Sequence, residues 1–492
     1  MDVILTYDRE AMDALDSAAI MTLIEKHEAD AAPTFETNLD YYEGKHAILD
    51  SQRAEANAPN TQTVCNHAKD ISDTASGYFM GNPIAYRLAS GVEGKDEAFD
   101  TLMDLLDKAT VDDDDQENAL MLSICGKTYE YIYQAEDTDG GEAYLDEKPI
   151  DPQSAFIVYD QSIEHKELFG VYYYRKKNDA DEDDEETEYL YVLVMTETEL
   201  KYYKLEDGSD EAVEPYEVQQ HNLGYIPLVE YKNNRFAIGD FAQQISLIDA
   251  YNTMTSDRIN DKQQFIDAIL VLYGAMLGDT QEEADEAMDD LRQRKLLEMP
   301  EGSRAEYLVR QLDEGGMEIL RNALKEDIYT FSHVPNLTDE HFSGNSSGVA
   351  MEYKLLGLEM LTKTKERWYR RGLRKRLKIF LHFMGLKGGE LEESDIDITF
   401  SRSLPKNLLE LSQIVTNLSG AASQKTLLGL LPFVEDPTAE LEEVKTEKEE
   451  AVKLQQELFA QTAEAGAENT PPEEEEEDED LSGQQEAVAA VM

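Results

Sequence analysis

The spacing of apolar residues separates the chain into extended and helical stretches. Between about 128 and 232, apolar and polar positions alternate in short runs rich in Tyr, Val and Ile, such as FGVYYYRK and YLYVLVMT. This period of two is typical of strands, and the Asp-Gly pairs in DTDGGE and LEDGSD favour turns between them. The pattern predicts a β-rich part, with the acidic run 178–188 as a loop between two strands.

The period changes to that of a helix on both sides of the β-rich part. Before it, we predict a helix in 66–88 that runs into a Gly81-Asn82-Pro83 turn, and a helix over 100–122 interrupted at 112–115. After it, helical spacing recurs over 239–274, 279–294, 317–334 and 349–386. The middle of the first of these, 255–264, is nearly all polar, which indicates two different neighbours along its length.

The remaining segments complete an α+β fold class. KLLEMPEGSRAEYLVRQL predicts a strand, a Pro-Glu-Gly turn and a strand, and 334–348 is a loop by its Pro, Asn, Ser and Gly content. SDIDITFSRSLP predicts one more strand, followed by helices over 406–418 and 438–459. After about 462 the chain loses periodicity and becomes PPEEEEEDED, which predicts a disordered acidic tail.

The charge balance limits the partners of this chain. Its 492 residues suffice for about three domains, and 105 Asp+Glu against 44 Lys+Arg give a formal net charge of −61. Such a surface repels phosphates, so tight wrapping of nucleic acid is excluded. Two separated cysteines, a start without a signal-peptide pattern and a longest apolar run of about half a membrane span predict a soluble protein of a reducing cytoplasm, with no membrane partner.

The motifs of catalysis are absent or incomplete. CGKT at 125–128 lacks the earlier glycine of a phosphate-binding loop, and the acidic runs at 112–115 and 137–140 lack the pattern of a calcium loop. No H-E-x-x-H or G-x-S-x-G occurs. We therefore expect no enzyme, cofactor or metal, although a metal-dependent phosphoryl-transfer enzyme built on clustered carboxylates stays open. A second alternative is an acidic scaffold or adaptor without DNA contact.

Two central blocks resemble a known family. HNLGYIPLVEYKNNRFAIGDFAQQISLIDAYNTMTSDRINDKQQFIDAILVLYG and NLTDEHFSGNSSGVAMEYKLLGLEMLTKTKERWYRRGLRKRL look like portal (head-to-tail connector) proteins of long-tailed phages of Gram-positive hosts. NHAKDISDTASGYFMGNPIAY resembles the family's early segment, and the similarity runs from about 35 to 440. The resemblance implies a ring, usually of twelve subunits, at one capsid vertex, with double-stranded DNA passing through its axis during packaging and ejection.

The resemblance also implies an architecture of wing, stem, clip and crown. We expect a wing over 1–238, a wing-to-stem helix over 239–274, a clip over 275–316 and a returning stem helix over 317–333. A tunnel loop over 334–348, the long helix and strand of the wing over 349–403, a crown over 404–461 and the disordered tail over 462–492 follow.

Three groups of residues are the candidate sites. The DNA channel is assigned to the tunnel loop, with Asn336, Thr338, Asp339, Glu340, His341, Phe342, Ser343, Gly344, Asn345, Ser346, Ser347 and Gly348. A helix face carries the cations Lys363, Arg367, Arg370, Arg374 and Lys378, which either neutralise acidic surfaces of the same or adjacent subunits or meet DNA. Arg292, Arg294 and Glu298 of the clip are assigned to contacts with terminase and the head-tail adaptor.

The remaining expectations concern partners and location. The family implies a homo-oligomer that also meets the major capsid and scaffolding proteins. The protein would belong to the virion after assembly in the host cytoplasm, and the packaging ATPase would be a separate protein.

Overall fold

The computed structural model describes residues 3–52, 59–135, 143–177, 188–206, 213–264, 269–274, 280–294, 301–308, 314–337, 348–386, 391–402 and 408–431, with scattered positions between 434 and 448. The chain divides into two compact units, Met1–Leu404 and Pro405–Met492. All strands and the helices α1 to α9 belong to the first unit.

The helices and strands are numbered in chain order. The helices are α1 Ser17–Asp30, α2 Ala32–Glu43, α3 His67–Met80, α4 Asp96–Lys108, α5 Val111–Cys125, α6 Ile245–Gln264, α7 Gln281–Arg294, α8 Glu314–Ser332, α9 Gly348–Leu386, α10 Leu408–Leu418 and α11 Gln424–Leu428. The strands are β1 Leu5–Tyr7, β2 Ala85–Leu88, β3 Lys127–Ala135, β4 Tyr144–Ile150, β5 Ala155–Asp160, β6 Glu167–Lys177, β7 Glu188–Met195, β8 Glu199–Glu206, β9 Glu217–Gln220, β10 Leu228–Lys232, β11 Ile269–Tyr273, β12 Arg304–Leu308 and β13 Ile396–Thr399.

Two sheets form the β-rich part. The larger has the order β1-β5-β6-β7-β8-β9, in which β1 runs parallel to β5 and the other pairs are antiparallel. Ile20 and Ile24 of α1 pack on one face of it, against residues such as Phe169 and Val192. The sheet β10-β3-β4 shares an apolar cluster with the other face. Both faces of the larger sheet are thus covered over part of their area.

The long helix α9 is the central support of the first unit. Leu373, Leu377 and Phe380 on its apolar face are completely buried, in a cluster with residues of α3, α4 and α5 and with Val229 of β10. The antiparallel pair β2–β13 adds Ile398 to this cluster. Because α9 contacts both the helices and a sheet, its position fixes how these layers meet.

The helices α6 and α8 lie antiparallel. Near one end, Arg321 donates from Nε to the hydroxyl of Tyr251 at 3.0 Å. Near the other, Arg258 donates to Glu318 at 2.6 Å and to Glu314 at 3.1 Å. As the residue numbers rise along α6, the numbers of their partners on α8 fall, so the two helices are antiparallel. In chain order, the antiparallel sheet β11–β12 and the helix α7 lie between these two helices.

The structure confirms most predicted elements and corrects two. The β-rich part, the helix from 348 to 386 and the strand after it are confirmed. Thr280 caps α7, since its hydroxyl accepts from the N–H of Glu283 at 3.3 Å. The acidic run 112–115 does not interrupt a helix, because it lies in the first turns of α5, and the break falls at 109–110. Acidic side chains are favourable at a helix N-terminus.

The second correction concerns the helix predicted over 239–274. It begins only at Ile245, after a short 3-10 turn over Ala242–Gln244, and ends at Gln264, so its predicted last part is wrong. Ile269–Tyr273 is instead a strand that pairs with Arg304–Leu308 in the register Leu270 to Tyr307. The aliphatic run ILVLY suits either structure, and pairing with a distant strand decides between them. The predicted strand at 295–300 lies outside the described residues.

The second unit is described only in part. Helix α10 lies within the predicted helix 406–418, and Ser423 caps α11 by accepting from the N–H of Thr426 at 3.3 Å. Most of the helix predicted over 438–459 and all of the acidic tail lie outside the described residues.

Candidate functional site

The predicted tunnel loop lies between α8 and α9. Asn336 follows the end of α8, and Gly348 is the first residue of α9. The other predicted loop residues lie outside the described residues, namely Thr338, Asp339, Glu340, His341, Phe342, Ser343, Gly344, Asn345, Ser346 and Ser347.

The entrance to this loop packs against the helix that leaves it. His333 directly follows α8 and lies in the left-handed region, with φ at 58°. The next residue, Val334, is 1% exposed and shares an apolar cluster with Leu355 and Leu358 of α9. Gly357 faces the carbonyl of His333 so closely that a Cβ would lie 3.4 Å from the oxygen. The residues that lead into the loop are therefore packed against α9, the helix that follows the loop.

A buried arginine joins α9 to three other elements. Arg376 is 0% exposed. Its Nη2 donates to Asp115 of α5 at 2.8 Å, and its Nε donates to Glu130 of β3 at 3.0 Å. The same Nε lies 3.0 Å from a carboxylate oxygen of Glu147 on β4. One guanidinium thus connects the long helix with another helix and two neighbouring strands.

Three carboxyl groups around one guanidinium cannot all be charged cheaply in a buried site. Burial raises the pKa of Glu147 well above its usual value, Arg376 counteracts this, and the neighbouring Glu130 adds to it. Burial opposes ionisation of Glu130 too, but Arg376 and the hydroxyl of Tyr231, 2.9 Å away, hold its pKa below the usual value. Of the two glutamates, Glu130 therefore ionises more readily beside Arg376, and Glu147 holds its proton more strongly.

Two lysines of α9 make further ion pairs, one buried and one partly buried. Lys365 is 2% exposed and pairs with Asp240, whose carboxylate also accepts from Ser123 at 2.6 Å. Lys375 pairs with Glu167 of β6 and donates to the carbonyl of Leu228 at 2.7 Å. Burying a charge is costly unless it is paired and hydrogen-bonded. These contacts therefore hold α9 at two defined places, one beside the segment that precedes α6 and one on the β-rich part.

A fourth cation, which is not part of α9, binds two glutamates in the first half of this helix. Arg402, after β13, donates to Glu359 at 2.7 Å and to Glu366 at 2.5 Å. The hydroxyl of Tyr78 donates to Glu359 at 2.9 Å. Burial opposes ionisation of Glu359, but the donors from Arg402 and Tyr78 lower its pKa. The pKa of Tyr78 rises to about 12, through burial and its bond to Glu359.

The predicted cations lie on the outer side of α9. Lys363 pairs with Glu359 at 3.4 Å, one turn away. Arg374 and Lys378 both pair with Glu393, at 3.4 and 3.0 Å. These three pairs are partly exposed, and such pairs contribute little to stability.

The other two predicted cations differ in their surroundings. The guanidinium of Arg370 lies 5.5 Å from the centre of the Phe400 ring. Arg367 is exposed and makes no ion pair among the described residues. Whether any of the five meets DNA or a neighbouring subunit stays a prediction.

The polar middle of α6 holds an extended segment of the same chain. Asn252, Ser256 and Asn260 follow one another at a spacing of four, and all three are buried. The backbone N–H groups of residues 65, 63 and 61 donate to them at 2.8, 2.9 and 2.6 Å. Four helical residues rise about 6.0 Å and two extended residues about 6.6 Å, so the two repeats match. We call residues 61–65 the strap.

A buried histidine orients the first asparagine of this row. His46 Nε2 donates to the carbonyl of Tyr41 at 2.9 Å, so its Nδ1 is an acceptor and takes a hydrogen bond from Asn252 Nδ2 at 2.8 Å. The Oδ1 of Asn252 is thereby left facing the N–H of Cys65. One of the neighbours expected for the polar middle of α6 is thus the chain itself.

The predicted clip contacts are only partly described. Arg292 and Arg294 lie in the last turn of α7, and Glu298 lies outside the described residues. CGKT at 125–128 spans the end of α5 and the start of β3, which reverses the strand–loop–helix order of a phosphate-binding loop. Across the described ranges, no group of His, Cys, Asp and Glu has the geometry of a metal site. No described helix is both long and apolar enough for a membrane span.

The inward-facing cations Lys365, Lys375 and Arg376, of which Lys365 and Arg376 are buried, are absent from the sequence-based site assignments. One signal was available, because Arg376 falls between Leu373 and Phe380 on the apolar face of α9. A charged residue at an apolar position predicts a buried partner. The sequence alone did not reveal the partner, since Asp115 lies 261 residues away.

The long helix α9, held by ion pairs to α5, β3 and β4, organises a mixed fold of helices and sheets. The family described as "Phage portal protein, SPP1 Gp6-like" matches residues 22–454. The chain therefore belongs to the phage portal protein family, whose members are virion proteins that form an oligomeric ring and a conduit for DNA. It is 24% identical over 473 residues to the "Portal protein" of Bacillus phage SPP1, covering 90% of this chain and 89% of that one.

A second relative gives the same result. The chain is 23% identical over 423 residues to the "Portal protein" of Clostridium phage phiCD119, covering 80% of this chain and 88% of the relative. Both matches span most of each protein, so they concern the whole architecture and not one motif.

Proposed function

We propose that twelve copies of this chain form a ring at one vertex of the capsid, assembled in the host cytoplasm with the major capsid and scaffolding proteins. Double-stranded DNA passes through the ring during packaging and ejection. The observation that carries this proposal is the family match over residues 22–454. The net charge of −61 supports it, because a repulsive wall keeps DNA mobile in the channel. At physiological salt that repulsion reaches about 8 Å.

The parts of the ring follow the divisions of the chain. The wing is 1–238 together with 349–403, the stem is 239–274 together with 317–333, the clip is 275–316, and the crown is 404–461. The antiparallel packing of α6 and α8 supports the stem assignment, since two such helices can carry the clip away from the wing.

The tunnel loop is the part that acts on moving DNA. Asp339 and Glu340 keep the phosphates at a distance, and His341 weakens this repulsion when it is protonated. Gly344 allows backbone angles that other residues avoid. The contact between Val334 and α9 gives the loop a firm base, so its motion need not move the helices.

The test of the loop is to stiffen it. Gly344→Pro should leave ring assembly intact, because the contacts of α8 and α9 remain, while DNA packaging should fail. The matched control is Gly344→Ala, which replaces the same glycine without the φ restriction and lost N–H of a proline. Normal packaging with the stiffened loop would contradict the proposed role.

The clip is the docking surface for terminase and the head-tail adaptor. Arg292 and Arg294 at the end of α7, with Glu298, provide the charges of this surface. The clip strand β12 pairs with β11 at the end of the stem segment 239–274. This sheet has two strands in the described residues, so each strand offers an outer edge to a neighbouring subunit. Arg292→Glu with Arg294→Glu should reduce terminase binding without changing the ring, as measured by pull-down and by negative-stain images.

The ring itself has no catalytic step, because the packaging ATPase is a separate protein. The purified chain should form rings with a central hole in negative-stain images and show no nucleotide hydrolysis above background. Metal-dependent hydrolysis that vanishes when a carboxylate pair is replaced would overturn this proposal.

A further inference from the structure

Helix α9 carries a row of exposed apolar side chains. Tyr353, Leu356 and Met360 are 75%, 51% and 65% exposed. Their spacing of three and four residues places them on one face, over two successive turns. Single exposed apolar residues are common on soluble proteins, but a contiguous row of three marks an interaction surface. We call this row the α9 stripe.

A second apolar patch lies on α8. Ile319, Leu320 and Phe331 are 73%, 52% and 60% exposed. Leu320 and Phe331 are separated by about three helical turns, so they share a face, and Ile319 lies beside the first of them. We call these three residues the α8 patch.

We infer that the α9 stripe of one copy packs on the α8 patch of the next copy in the ring. This inference rests on the proposed ring. A ring is closed by head-to-tail contacts, which need two different surfaces on each subunit, whereas a two-fold dimer needs only one self-complementary surface. The chain presents two apolar surfaces on two different helices, as a head-to-tail contact requires.

The charges beside the two surfaces are complementary. The face of α9 that carries the stripe continues into Arg367 and Arg371, at spacings of three and four after Thr364, and all three are exposed. On α8, Asp327 lies on the face of Leu320 and Phe331, at spacings of seven and four. Two copies that each carry a net charge of −61 repel one another over most of their surfaces. Arg367 and Arg371 beside the α9 stripe would attract Asp327 on the face of the α8 patch, so the repulsion between two copies is reversed locally.

The chemistry of the α9 stripe distinguishes this partner from DNA. Contacts to a duplex backbone come from Lys, Arg and polar hydrogen-bond donors, and the stripe itself offers a tyrosine, a leucine and a methionine. Aromatic and methionine side chains are enriched in protein–protein interfaces. A second copy of this chain is therefore the occupant that both the apolar and the charged residues fit.

The experiment uses the full chain with one glutamate in each surface. Met360→Glu disables the α9 stripe, and Phe331→Glu disables the α8 patch. The control is Ile163→Glu, which replaces a side chain that is 98% exposed in the turn after β5. The mass of each protein in solution is measured by light scattering after gel filtration. Circular dichroism and Trp368 fluorescence check that each variant is folded.

A head-to-tail contact makes a specific prediction for mixtures. Alone, the Met360→Glu and Phe331→Glu chains should stay at 55.7 kDa under conditions in which the wild type and the Ile163→Glu chain form rings. Mixed together, they should form a pair of one chain each and nothing larger. The intact stripe of the Phe331→Glu chain meets the intact patch of the Met360→Glu chain, and both remaining ends are disabled.

Each other outcome argues against the inference. If Met360→Glu assembles like the wild type, the stripe is not at a subunit contact. If both variants are monomeric but their mixture gives no pair, the two surfaces do not meet each other. If the variant rings form but fail to join capsids, another protein covers the stripe. Failure of the wild type to form rings would instead overturn the proposed function.

A milder pair of variants covers the case in which a glutamate prevents folding. Met360→Ala and Phe331→Ala each remove contact area without adding a charge. Each should raise the protein concentration needed for half-assembly about tenfold, as expected when an interface residue of central importance is truncated. An unchanged assembly concentration for both alanine variants would refute the inference.

Discussion

Two glutamates that contact the same buried arginine should respond in opposite ways to the same substitution. Glu130→Gln should lower the free energy of unfolding, and Glu147→Gln should leave it unchanged or raise it at neutral pH. Both side chains are completely buried near Arg376. The difference follows from their protonation, because burial and the neighbouring charge keep the pKa of Glu147 raised, while Arg376 lowers that of Glu130.

The expected magnitude for Glu130 comes from its contacts. Its carboxylate accepts from Nε and Nη2 of Arg376, and from the Tyr231 hydroxyl at 2.9 Å. Removing one partner of a buried ion pair leaves the other charge uncompensated, which costs about 3 to 5 kcal/mol. Glu147 can ionise in the place of Glu130, since it lies 3.0 Å from the same Nε. We therefore expect a loss of about 3 kcal/mol for Glu130→Gln, at the low end of that range.

The same argument predicts non-additivity. Glu147→Gln is harmless alone, but in the Glu130→Gln background it removes the carboxylate that could replace the lost charge beside Nε. The double variant should therefore lose at least about 1 kcal/mol more than the sum of the two single effects, which is within the range measured for contacting residues.

The pH dependence gives an independent check. A carboxyl group whose folded-state pKa is raised contributes stability that is fully present below its unfolded pKa, near 4.3, and is lost as the pH rises through the folded pKa. For Glu147 this loss amounts to at most about 1.4 kcal/mol per pH unit. Glutamine has no proton to lose, so the stability of Glu147→Gln relative to the wild type should increase as the pH rises above 4.3. The contribution of Glu130 to stability changes with pH in the opposite direction, because its folded-state pKa is lowered.

The assay is urea unfolding followed by the fluorescence of Trp368, the single tryptophan, which lies on α9 two turns from Arg376. All proteins are compared at one concentration, because ring formation makes stability depend on concentration. Glu164→Gln is the control, since Glu164 is a solvent-exposed carboxylate in a turn. It should change stability by less than about 0.5 kcal/mol. Equal losses for Glu130→Gln and Glu147→Gln at pH 7, or the same pH slope in the wild type and Glu147→Gln, would refute this reasoning.

Three further predictions concern other parts of the chain. Gly372→Ala should destabilise the protein by about 1 to 3 kcal/mol, because a Cβ would lie 2.4 Å from the ring of Tyr231, whereas Gly77→Ala in the open interior of α3 should stabilise it slightly in the same urea assay. Asn260→Ala should loosen the strap and speed the reaction of the Cys65 thiol with a maleimide, and an unchanged rate would show that the hydrogen bonds of Asn260 do not hold the strap. Deletion of 462–492 should leave ring formation and melting temperature nearly unchanged, since a run of like charges has little to bury, and a large fall in melting temperature would contradict this.

Much of the local structure could be predicted from the sequence because it depends on neighbours along the chain. Alternation of apolar and polar residues predicted the strands between 128 and 232, and helical spacing predicted α9 to within one residue. The resemblance in two blocks predicted the family, which the match over 22–454 confirms. The candidate site could be predicted only in part, and the roles of the loop residues and of the outer cations of α9 stay predictions.

What the tertiary structure decided involves residues that are distant in sequence. ILVLY could continue a helix or form a strand, and it is a strand because 304–308 is available as its partner. The row Asn252, Ser256 and Asn260 is merely polar until the strap lies along it. Arg376 carries its charge inside the protein because the fold brings carboxyl groups from α5, β3 and β4 around it. Periodicity along a chain determines which face of an element is apolar, but only packing determines what that face meets and which charges share a buried space.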